Sequence, residues 1–175
     1  VASTNLAVGL MRAQRWKEAR TVLEKSIALR PSSIDALYNL GTTMIALGDD
    51  RRGIELFRRA LKIKSEDLAA MDALAWALAT SPDAALRDPS EALRLAEEVN
   101  QRTRIENPKY LATLAAAQSA SGNAPAARTT IRRAETAARL RGMNGFLKSL
   151  EDQQARYDNG EAYSRTAPGD QSSTK

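Results

Sequence analysis

The apolar positions of this chain recur at helical spacing. In the segment around residues 34–46, Leu37, Leu40, Gly41 and Met44 fall at i, i+3, i+4 and i+7, which puts them on one face of a helix. Ile54, Phe57, Ala60 and Leu61, at i, i+3, i+6 and i+7, form a similar stripe on the segment that follows. The two stripes predict a pair of antiparallel helices joined by a tight turn at Gly48 to Asp50.

The pair recurs along the chain. The stretch beginning at Asn5 aligns with the one beginning at Asn39, an offset of 34 residues, and a third copy begins another 34 on, at Ala73. A fourth, TLAAAQSASGNAPAARTTIRRAETA, begins at Thr113, 40 residues after the third. Small residues occupy matched columns where two helices must approach closely: Ala7, Gly41, Ala75 and Ala115 on the first helices, Ala19, Gly53, Ala92 and Ala127 on the second. The large residues Leu6, Leu40, Leu74 and Leu114 stand directly before the first column. The third copy replaces the tight turn with SPDAALRDP, so most of its extra length is expected at residues 82–89, between a helix ended by Pro82 and one capped by Asp88 or Ser90.

This combination of period and columns resembles the tetratricopeptide repeat family, with Pro31 at the family's proline position and Ser65 departing from it. The resemblance implies an all-α fold, a right-handed α-solenoid of helix-turn-helix repeats at about 1–33, 34–67, 68–107 and 108–141. A capping helix is expected over 142–160, with Lys148, Glu151, Asp152 and Gln153 outward, and a disordered tail over 161–175. The long third turn and the ARYDNGEAY ending are also similar to a bacterial subset of the family. Some members of that subset carry their repeats on membrane glycosyltransferases of the mannosyltransferase type.

Composition narrows the chemistry. The 175 residues include no Cys and no His, which removes thiolate and imidazole metal ligands, a cysteine nucleophile and the usual general base. The adjacent acids Glu97 and Glu98 diverge by about 100 degrees on a helix, and Asp49 and Asp50 sit at a turn where caps belong. Neither GxxxxGK[ST] nor GxGxxG is present, so no phosphate cradle is expected. No enzyme activity, metal or cofactor is expected. The net charge of +5 alternates basic, acidic, basic along the chain in place of a continuous basic stripe, which argues against nucleic acid. No transmembrane segment stands out, and the compartment is left open between cytoplasm and periplasm. Arg51, Arg52, Arg58, Arg59, Lys62 and Lys64 read as a solvated convex face, and Trp16 as core.

The expected role is therefore a non-catalytic scaffold that binds a protein or peptide partner. In the family, the first helices line a concave groove, and the matching positions here are Thr4, Asn5, Val8, Arg12, Tyr38, Asn39, Thr42, Asp72, Trp76, Thr80, Lys109 and Thr113. Asn5 and Asn39 are equivalent, and an amide can both donate to and accept from a peptide main chain. Trp76 reads equally as an exposed anchor or as packing between repeats. The Lys and Asn clamp that family members use for acidic chaperone tails is missing, because the matching positions of the first three repeats hold Thr4, Val8, Tyr38, Thr42, Asp72 and Trp76. Two alternatives stay open: an accessory region of a membrane glycosyltransferase, and a homo-oligomer formed through an uncapped N-terminal end.

Overall fold

The computed structural model describes residues 2–103 and 105–166, and these contain nine α-helices and no strand. The helices run in hairpins, each within one copy of the sequence repeat: α1 (Ala2–Arg12) with α2 (Trp16–Leu29), and α3 (Ile34–Ala46) with α4 (Asp50–Ile63). In the third copy come α5 (Leu68–Thr80) and α6 (Pro89–Arg102), and in the fourth α7 (Pro108–Ala120) packs against α8 (Ala124–Leu140). A single helix, α9 (Asn144–Asp158), follows. The chain is an all-α repeat fold. It divides into two compact units, one reaching Ala77 and the other spanning Leu78–Arg165.

Local chemistry sets the helix ends. Ser33, Asp49, Asp67, Asp88, Asn107 and Asn123 each accept a hydrogen bond from a main-chain N–H two or three residues on, replacing the partners that a first turn lacks. Pro89, Pro108 and Pro125 occupy first-turn positions, where a missing N–H costs nothing.

All four hairpins close with the same bond. The amide before the second helix donates to a carbonyl near the end of the first: Arg15 to Leu10 (2.9 Å), Asp49 to Met44 (2.9 Å), Asp88 to Leu78 (3.2 Å) and Asn123 to Gln118 (2.9 Å). In the short turns this requires one left-handed residue, supplied by Gly48 (φ 85°) and Gly122 (φ 83°) but by Gln14 (φ 56°) in the first hairpin. The third turn has nine residues between the bonded groups where the others have four. A 3₁₀ turn, Ala84–Leu86, capped by Asp83, fills the difference, so five of the extra residues lie in this loop.

In the first unit the matched columns meet in one core of Ala7, Leu23, Leu37, Leu40, Met44, Leu56 and Ala60. Gly41 lets the ring of Phe57 lie directly on α3, and Phe57 in turn tilts against Tyr38 with ring centroids 6.0 Å apart. Leu6 departs from its column: it is 57% exposed, whereas Leu40 and Leu74 are each 2% exposed, since no described helix packs on that side of α1. Trp16, expected in the core, is half-buried beside Leu47.

The second unit buries Leu111, Ala115, Ala127, Ile131, Ala134 and Ala138 against Leu150 and Tyr157 of α9. Gln153 is a correction. It was expected to face outward but is fully buried, three residues after Leu150 and four before Tyr157 on the same face. Its amide donates to Ser149 O and accepts from the Tyr157 hydroxyl, so its polar atoms are satisfied inside. The segment Glu161–Arg165, expected to belong to a disordered tail, is hydrogen-bonded back onto α5 and α7. Residues 167–175 of that expected tail lie outside the described residues.

Candidate partner-binding groove

In the first unit, α1, α3 and the start of α5 border an open hollow of about 480 Å³. Five of the residues singled out in the sequence line it together: Thr4, Asn5 and Val8 from α1, with Tyr38 and Asn39 from α3. Asn5 is exposed and Asn39 half-buried, so both amides border the open space. The helical repeat explains the convergence, because Tyr38 and Asn39 stand three and four residues beyond Asp35 and share its face.

Six lining residues were not anticipated: Arg30, Ser33, Ile34, Asp35, Asp67 and Ala69. Asp35 was legible in principle from its spacing to Tyr38. Ser33 and Asp67 are N-caps, whose oxygens are committed to Ala36 N and Ala70 N, and Asp67 also takes an ion pair from Lys64 at 3.2 Å. Burial raises the pKa of the Tyr38 phenol, the negative charges of Asp72 and Asp67 raise it further, and a hydrogen bond with Thr42 works the other way. The hollow is thus bordered by a neutral phenol, two amides, two carboxylates and one guanidinium.

The remaining candidates are placed elsewhere. Thr42 donates its hydroxyl to Tyr38 O in its own helix, Arg12 is exposed in the last turn of α1, and Trp76 is half-buried on α5. Thr80, Lys109 and Thr113 belong to the Leu78–Arg165 unit. Lys109 is exposed there. Thr113 is 3% exposed with its hydroxyl donated to Lys109 O, which takes it out of any groove surface. Thr80 is fully buried because Arg165 lies over it, donating from Nε to Oγ1 at 2.9 Å.

Among the described residues no group of three or more Asp or Glu is placed to hold a metal ion, and no helix is long and apolar enough to cross a membrane.

Residues 10–80 match a family model described as tetratricopeptide repeat. Two solved structures are similar over most of the chain: a Podosopora anserina protein described by kinesin light chain and nearly identical TPR-like repeats, and a substituted form of it. Each aligns at a TM-score of 0.61 with 19% identity, covering 90% of this chain and 93% of that one, a likeness of fold. No curated protein matches.

Proposed function

We propose that this chain, whose residues 10–80 match the tetratricopeptide repeat family, a family whose repeats are in general protein-interaction modules, is a non-catalytic scaffold holding an extended peptide in the hollow between α1 and α3. The observation that carries this reading is the convergence of Asn5, Asn39 and Tyr38 on one open surface of about 480 Å³. Two amides one repeat apart can each pair with a peptide main chain, while the Tyr38 ring, backed by Phe57, offers a rigid flank for a side chain.

A library of extended peptides selected on the intact chain tests this. Binders are expected to lose at least about tenfold in affinity to the Tyr38→Ala, Asn39→Ala double variant, a change of about 1.4 kcal/mol. They should keep their affinity for Arg58→Ala, Lys62→Ala, two exposed positions on α4. Equal binding by both double variants would show that the hollow is not the site.

A further inference from the structure

The Leu78–Arg165 unit holds its own extended segment in a peptide-like manner. After α9, Asn159 and Gly160 (φ 77°) turn the chain, and Glu161–Arg165 continues without helix toward the C-terminal ends of α5 and α7. Ser119 Oγ donates to Glu161 O at 3.4 Å. Arg165 N donates to Thr80 O at 3.0 Å, and Arg165 Nε to Thr80 Oγ1 at 2.9 Å. Thr80 is the last residue of α5, so its carbonyl is one of those that a helix end leaves without an intrahelical partner; the segment supplies one. Tyr163 is half-buried, with the Arg156 guanidinium 5.8 Å from its ring centroid.

The long third turn takes part. Arg87 Nε donates to Ser81 O at 2.7 Å, which fixes the guanidinium, and its Nη2 reaches Ser164 Oγ at 3.4 Å. Arg87 lies in the stretch by which this turn exceeds the others, so the added length brings in a side chain that contacts the segment.

We propose that Thr80, Ser119 and Arg87 form a second peptide-binding surface, and that Tyr163-Ser164-Arg165 of the same chain is its resident, displaceable occupant. The ligand class is an extended segment bearing an aromatic residue two positions before an arginine. A few hydrogen bonds and one aromatic contact barely offset the entropy of ordering five residues, so the contact is weak for a free peptide. Tethering presents the same segment at an effective concentration on the order of millimolar, which keeps it docked while leaving it open to competition. The surface does not depend on the hollow beside Tyr38, and either can fail without the other.

The test uses full-length protein and a labelled peptide of residues 160–167, GEAYSRTA, followed by fluorescence anisotropy. The Arg165→Ala chain, with its helical circular dichroism intact, is expected to bind the peptide at least about tenfold more tightly than the unaltered chain, because the tethered competitor is weakened. Binding should vanish when Thr80→Val is added, or when the peptide carries Ala for Arg. Equal affinity for both chains, or no binding to the folded Arg165→Ala chain, overturns the proposal. If that substitution costs the fold, amide exchange on the unaltered chain decides. The Arg165 amide should exchange about tenfold more slowly than in a free peptide, and faster once millimolar GEAYSRTA is added. An amide exchanging at the free rate, or protected regardless of peptide, rejects a displaceable occupant.

Discussion

Gly41 and Gly53 sit in matched small columns, yet their surroundings differ. A Cβ on Gly41 would lie 2.5 Å from Phe57 Cε1 and 2.8 Å from Cδ1, and that ring is 2% exposed and flanked by Tyr38. A Cβ on Gly53 would meet Ile45 Cδ1 at 2.6 Å and Cγ1 at 2.8 Å, on a half-buried aliphatic chain that has other staggered rotamers, and Gly41 O at 3.1 Å. Replacing Gly by Ala within a helix gains about 1 kcal/mol in propensity, while overpacking a rigid core costs about 1–3 kcal/mol. With the buried Phe57 ring placing it in the upper half of that cost, about 2–3 kcal/mol, Gly41→Ala is expected to lose about 1–2 kcal/mol net in urea unfolding, and Gly53→Ala to stay within about 1 kcal/mol of the parent. A Gly41→Ala protein as stable as the parent would mean that the Phe57 ring moves freely.

At the scale of elements, the hairpins follow one rule with a variable middle. Each second helix of a hairpin is preceded by a residue whose amide closes the loop, and in three of the four that residue also caps the helix with its side chain. Arg15 is the exception: it makes no side-chain cap and instead pairs with Glu18. Asp88 performs both roles at the end of the longest turn, accepting from Glu91 N at 2.9 Å. Asp88→Ala should cost about 1 kcal/mol, while Asp88→Asn, which keeps an accepting oxygen, should cost only a few tenths. Thermal unfolding followed at 222 nm separates the two. A cost for Asn as large as for Ala would mean that the carboxylate's charge, and not its cap, is what matters.

For the whole molecule, the helices, their pairing and the long turn were legible in the sequence because each depends on residues close together along the chain. Columns of Ala and Gly beside Leu mark faces, and Asp, Asn and Pro mark starts. The groove was half legible for the same reason: the face carrying Tyr38 and Asn39 follows from spacing, whereas Asp67 enters it only because α5 begins beside it. What escaped was burial decided from far away. Thr80 shared a face with the other candidates, but Arg165, 85 residues on, covers it. Gln153 is the opposite case: it shares a helix face with Leu150 and Tyr157, three and four residues away, so its burial was legible in that spacing. Leu6 matched a buried column yet is 57% exposed.

The shared closing bond makes the third turn a natural place for new sequence. Whether four or nine residues intervene, the same carbonyl and the same amide meet, so the register of both flanking helices is insulated from what lies between. Lengthening a surface loop costs only about 0.6 kcal/mol per doubling. An eight-residue Gly-Ser stretch inserted between Ala84 and Ala85 should therefore lower stability by no more than about 1 kcal/mol, as read by urea unfolding. The same stretch placed within the tight turn at Gly48 would separate two groups already at their shortest connection and should cost more. A repeat built this way acts as a socket: it can acquire a binding loop or surrender one while its helices keep their places.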